Sequence, residues 1–126
     1  MLRLDPAALR KALDQLEQAV HDHARWHDDL IRSIVCRLPC DPNDLDEKAH
    51  RQCRFGQWYY EQAPVELWEQ PAFVAIEAEH KRLHQVAAHM LCEVTAGMPV
   101  SREDYDELIA GNERLRLELD SLQHAI

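Results

Sequence analysis

Two histidines, His80 and His84, stand four residues apart in the middle of a long helical pattern. On a helix that spacing puts both imidazoles on one face, about one turn or roughly 6 Å apart. Two imidazoles so placed can close on a single metal ion. The pair is not decisive by itself, because eight histidines in 126 residues produce other such pairs, His23 and His27 among them. A metal site needs further ligands that the fold can bring to the same point.

The first half of the chain offers them. Asp5-Pro6 reads as a helix start, with Asp as the cap and Pro at the first helical position. From there Leu9, Leu13, Leu16, Val20, His23, His27, Leu30 and Ile34 follow a 4-3-4-3 rhythm, the core seam of a long bundle helix. Two histidines occupy seam positions. A polar group in a bundle core is costly without a partner, so at least one of them is expected to have a buried role, and the spacing does not choose between them. Leu38-Pro39-Cys40-Asp41-Pro42 ends this helix, and residues 41 to 52 read as a charged loop with one helical turn. Cys53-Arg54-Phe55-Gly56-Gln57-Trp58-Tyr59-Tyr60 then opens a short helix that Ala63-Pro64 ends.

A third helix is predicted from Pro71 to Thr95, with Phe73, Ile76, His80, Leu83, His84, Ala87, Met90 and Leu91 on one stripe and Gly97 and Pro99 as its stop. Ser101 and Asp104 open a fourth helix, about 102 to 126, in the manner of a capping box. Its seam is Tyr105, Leu108, Asn112, Leu115, Leu119, Leu122 and Ile126, a pattern that runs to the last residue without a cap. The fold class is therefore all-α: one domain over residues 1–126, an antiparallel four-helix bundle of three long helices and one short. Apolar seams beyond the needs of one small bundle predict a homodimer.

In a bundle, metal sites are built from side chains on facing helices. His80 and His84, with His23 or His27 from the first seam and Cys53 from the short helix, give three imidazoles and one thiolate. That is a closed tetrahedral set suited to Zn²⁺. Asp22, Asp28 or Glu79 could accept the free ring N–H of a ligand histidine. Trp26 and Trp58 read as packing groups, Gly56 as a point of close helix approach, Cys36 and Cys40 as ordinary thiols and Cys92 as core. His21, His50, His89 and His124 read as solvated.

The motifs His23-x-x-Trp26, Cys53-x-x-Gly56-x-Trp58 and His80-x-x-x-His84, in this order, resemble the chemoreceptor zinc-binding (CZB) domain family over roughly residues 15 to 95. The resemblance implies one zinc ion per chain held by His23, Cys53, His80 and His84, which selects His23 over His27. It also implies a homodimeric bundle that regulates an output domain, either a chemoreceptor signalling domain or a diguanylate cyclase (GGDEF) domain. A chain that starts at Met1 and ends in a running helix matches the cyclase-type order. The family also links its zinc-bound cysteine to sensing of hypochlorous acid and related oxidants. Gln57 stands where the family commonly has a basic residue.

Composition excludes several other classes. With 23 acidic residues against 14 basic ones the formal net charge is −9, and no Lys/Arg cluster offers a nucleic-acid or anionic-membrane surface. The N-terminus Met1-Leu2-Arg3-Leu4-Asp5-Pro6 lacks the apolar core of a signal peptide and no apolar run reaches the length of a membrane span, so a cytoplasmic domain is expected, its four cysteines thiols or ligands. There is no Gly-rich phosphate loop and no nucleophile–base arrangement, and a zinc held by four side chains keeps no position open for water, so the chain is not expected to be an enzyme. Two rival readings remain. A hemerythrin-like di-iron bundle would need about five histidines with bridging carboxylates, and would leave Cys53 without a role. A purely structural dimerisation bundle would make the histidines incidental.

Overall fold

Asp5 caps the first helix as its sequence foretells, its carboxylate accepting the Ala8 amide at 2.9 Å. In the computed structural model, which describes residues 4–126, this helix is α1 (Pro6–Val35). A four-residue helix α2 (Ala49–Gln52) and an eight-residue helix α3 (Arg54–Glu61) follow, then α4 (Pro71–Thr95) and α5 (Arg102–Ala125). Two 3₁₀ turns, Pro42–Leu45 and Val65–Leu67, punctuate the connections, and the described residues contain no strand. Met1, Leu2 and Arg3, part of the N-terminal stretch read above, lie outside the described residues.

Both long helices that precede a proline-bearing turn end in the same way. At α4, Gly97 takes φ +73°, its amide bonds Val94 O and the Met98 amide reaches back to Glu93 O. This is a Schellman closure, which needs a left-handed residue that glycine adopts freely. At α1, Arg37 takes that position with φ +51°, and the Leu38 amide reaches back to Ser33 O. The first helix is thus closed by its own carbonyls before Pro39 is reached. The Arg37 guanidinium then donates to Met98 O at 3.1 Å, tying the two helix ends together.

The helices α4 and α5 form an antiparallel hairpin. Asp104 faces His89 at 3.4 Å, Gly111 lies against Leu83, and Arg114 donates to Glu79 at 2.9 Å. The Ser101 hydroxyl caps α5 by accepting the Asp104 amide at 3.1 Å. The apolar core runs through Leu16, Ile76, Leu83, Met90, Leu91, Leu108, Leu115, Leu119 and Leu122, all essentially inaccessible. On the other side Tyr59 stacks on Phe73 with ring centroids 4.2 Å apart and donates its hydroxyl to Phe73 O at 2.6 Å, fixing α3 on the start of α4. Truncating a side chain at the centre of this core, Ile76→Ala, is expected to cost about 2–5 kcal/mol. In urea unfolding its midpoint should fall with little change in slope.

The buried face of α1 is not the heptad seam throughout. Ala12, Leu16, Ala19, His23, Leu30 and Ile34 are buried, whereas Leu9, Leu13, Val20 and His27 are only half-buried. On α5, Gly111 takes the core position next to half-buried Asn112. Cys92, expected in the core, is exposed, because Met90 and Leu91 turn the inner face of α4 away from it.

Candidate metal centre

The chain brings three separate segments to one point. His23 projects from the middle of α1 and is 6% exposed, while His80 and His84, one turn apart on α4, are 2% and 5% exposed. Cys53 is the N-cap of α3, half-buried, its sulfur accepting the Gly56 amide at 3.4 Å. One donor atom from each of His23, Cys53, His80 and His84 lies within 4.8 Å of all the others. His80 Nε2 is 3.0 Å from His23 Nε2 and 3.4 Å from Cys53 Sγ. Three nitrogens and one sulfur around a tetrahedral zinc would stand roughly 3.3–3.6 Å apart, from bond lengths of about 2.0–2.3 Å.

The protonation states suit a cation. His23 Nδ1 donates to Ala19 O at 3.2 Å, which leaves a lone pair on Nε2. Burial lowers the pKa of His23, drives His80 well below the ordinary imidazole range and pushes His84 down to about 3, so all three rings are neutral at pH 7. The His84 Nε2 is buried with no hydrogen-bond partner. An orphaned nitrogen, two imidazole nitrogens in contact and a sulfur beside them form a donor set that fits a cation. Burial raises the Cys53 thiol, opposed by the Gly56 and Phe55 amides, and the thiol donates to His50 O at 3.7 Å. A coordinating cation reverses that balance and takes the thiolate outright.

Aromatic rings cover part of the site. Trp26 lies over His84 with ring centroids 4.7 Å apart, and Phe55 sets its edge against His80 at 5.2 Å. Gly56 is buried, and a methyl group there would overlap the His50 carbonyl oxygen. That glycine lets the α2 backbone lie directly on α3 beside the thiol.

The family model for the chemoreceptor zinc-binding domain matches residues 23–91, more than half of the chain. The chain belongs to the chemoreceptor zinc-binding domain family. That match begins at His23 and encloses Cys53, His80 and His84. The chain is also similar to diguanylate cyclase DgcZ of Escherichia coli (strain K12), at 23% identity over 79 residues. Those residues are 63% of this chain and 27% of that protein, so the chain matches about a quarter of its relative's length. No solved structure matches the chain significantly.

Other residues singled out in the sequence of this CZB domain lie outside the cluster. His27 does not join the cluster; its Nδ1 lies 3.9 Å from Asp28, and its Nε2 is buried without a partner. None of the three acids proposed to orient a ligand does so. His23 uses the Ala19 carbonyl of its own helix, while Asp22 faces Arg54 at 3.6 Å, Asp28 faces His27 and Glu79 holds Arg114. Among the described residues no carboxylate joins the four donors at their spacing, so the bridging acids of a di-iron centre are not supplied. A second group, His89, Glu93 and Asp104, lies at the surface, where the imidazole contacts both acids at 3.2 and 3.4 Å.

His50, like Cys92, lies elsewhere than its sequence reading places it. Read as solvated, it is 4% exposed, its ring edge-on to Tyr60 at 5.9 Å and to His80 at 6.1 Å. The charged neighbours Glu47, Lys48 and Arg51 hide which residues of the expected turn face inward. The one available signal is the three-residue step from His50 to Cys53, which puts both on one side of a helical turn.

Proposed function

We propose that this CZB domain is a regulatory sensor in which His23, Cys53, His80 and His84 hold one zinc ion per chain. Its metal occupancy would control a signalling output such as a diguanylate cyclase or a chemoreceptor signalling domain. The observation that carries the reading is the convergence of four donors from α1, α3 and α4 within 4.8 Å. Zinc bound there would join those three helices at one point and leave no open position for catalysis. The residues do the rest. His80 and His84 are fixed to one rigid helix, so any movement of α1 or α3 is felt at His23 or Cys53. Because all four donors must be deprotonated and the helices packed, binding energy becomes conformational energy.

We read residues 1–126 as a single domain, an antiparallel four-helix bundle of α1, α3, α4 and α5 that pairs with a second copy in the cytoplasm. Half-buried Leu9 and Leu13 on α1, with Ile109 and Leu117 more than half exposed on α5, support the pairing. The similarity to diguanylate cyclase DgcZ supports a GGDEF output reached through α5, about 102–126. Oxidation of Cys53 is a secondary input in this reading, since it would remove the sole sulfur donor.

Elemental analysis of protein purified without added metal tests the proposal. About one equivalent of zinc per chain is expected, with most of it lost in Cys53→Ala. Less than about half an equivalent, unchanged by that substitution, would favour a structural dimerisation bundle. A visible oxo-iron absorption band would instead restore the di-iron reading.

A further inference from the structure

The four donors are deep, yet a cleft of about 230 Å³ reaches them, with His23, Cys53 and His84 on its inner wall. His84 is 5% exposed and its Nε2 has no hydrogen-bond partner, so an unpaired ring nitrogen belongs to a residue lining the cleft. The same cleft is lined by Asp22 from α1, by Asp41 and Asp44 from the 3₁₀ turn Pro42–Leu45 and its cap, and by Arg54 from α3. None of these acids belongs to the donor cluster.

The three carboxylates are not equivalent. Asp22 is engaged by Arg54 at 3.6 Å and by the Gln18 amide at 2.9 Å. Asp41 uses one oxygen to cap the turn, accepting the Asn43 amide at 2.9 Å. Among the described residues neither Asp41 nor Asp44 faces a basic side chain at salt-bridge distance. Asp44 is half-buried, and burial together with the Asp41 charge raises its carboxyl above the usual range, opposed by the Trp26 side chain. Two acids without a countercharge thus stand at the mouth of a cleft whose walls include Trp26 and Phe55. With Arg54 paired to Asp22, the cleft keeps a net negative charge from Asp41 and Asp44, and low-dielectric walls around such a charge focus the field and raise the local concentration of counter-ions.

We propose that Asp41 and Asp44 form the loading port of the zinc site: hydrated divalent cations collect at these carboxylates, exchange water for their oxygens, and pass along the cleft to His84 and Cys53. The direction of transfer follows from donor chemistry. Isolated carboxylates bind a hydrated dication weakly, whereas imidazole and thiolate hold zinc in a closed set. The port rests on the reading of the cluster as a zinc site, and its test separates the two ideas.

The probe is Co²⁺, followed in stopped flow by its thiolate charge-transfer absorption at low ionic strength. Asp41→Asn/Asp44→Asn should bind one Co²⁺ per chain, as wild type does, but with an association rate constant lower by about tenfold. The difference should shrink at high salt, and the dissociation rate should change far less. Asn keeps an acceptor oxygen at the cap, and the exposed Asp41→Asn alone should slow loading by about threefold if the double variant folds poorly. The control is Glu103→Gln/Asp106→Asn, an equal loss of charge on the exposed face of α5. Unchanged association in the port variants, or equal slowing by the control pair, overturns the port. No stoichiometric uptake by wild type, or uptake undiminished by Cys53→Ala, overturns the zinc reading itself.

Discussion

Replacing His80 with alanine is expected to weaken zinc binding by about 10²–10³-fold, while His27→Ala should leave it nearly unchanged. Structural zinc sites reach an apparent ~10–16 kcal/mol, so each of four ligands accounts for roughly 2.5–4 kcal/mol, and every 1.4 kcal/mol is about tenfold. His80 is the most deeply placed of the four, and its Nε2 contacts both His23 Nε2 and Cys53 Sγ. Removing it takes away the donor that the other two share. His84→Ala should fall in the same range, because its Nε2 has no other partner in the fold. His27 makes the comparison sharp. It sits one turn beyond His23 on the same helix and is half-buried, yet it lies outside the donor cluster. Competition against a chelator of known affinity reads the constants, and helical signal at 222 nm checks that each variant is folded. Equal losses at positions 27 and 80 would overturn the ligand assignment.

The contrast between His23 and His27 also shows where sequence patterning stops being informative. A 4-3 rhythm gives both residues seam status, but a straight α-helix drifts by about 20° per heptad from a 3.5-residue repeat. Over the 30 residues of α1 the inner face therefore passes through small Ala12 and Ala19 rather than Leu13 and Val20. Weighting positions by side-chain size favours leucine and valine, while close approach to neighbouring helices favours alanine. Only the three-dimensional packing decides. The same effect puts Gly111 rather than Asn112 against Leu83. The long helices themselves were legible, α4 with the bounds Pro71 and Thr95 that its proline, stripe and Gly97 stop define. Less legible was α2, read only as one helical turn somewhere within residues 41 to 52. Four residues of helix carry too little periodicity to stand out, and their buried face is just Ala49 and His50. The four clustered residues were legible by type and motif, with His23 preferred to His27 only through the family resemblance; their supporting shell was not, since a backbone carbonyl such as that of Ala19 leaves no mark in the sequence.

That short helix motivates the second large effect. Gly56→Ala should destabilise the metal-free protein by about 3 kcal/mol and weaken zinc binding as well. The added methyl group would overlap the His50 carbonyl oxygen and lie 2.9 Å from Arg51 Cα. Both obstacles are backbone, so no side-chain rotation relieves them, and α2 must move off α3. Cys53 lies between the two helices. Its thiol is held by the Gly56 amide on one side and the His50 carbonyl on the other, so displacement of α2 moves the sulfur relative to His80. Gly97→Ala is the informative comparison. At φ +73° it too is strained, by about 1–2 kcal/mol, but a methyl group there meets nothing within 4 Å and lies far along the chain from the donors. It should lower the urea midpoint and leave zinc affinity intact. A Gly56→Ala protein with wild-type zinc affinity would mean that α2 can lift away without disturbing Cys53, and the close approach at Gly56 would then be packing alone. Loss of affinity at position 56 but not at 97 would make α2 the element that sets the thiolate in place. The imidazoles are fixed by long helices in any case; the position of the one sulfur depends on this single turn.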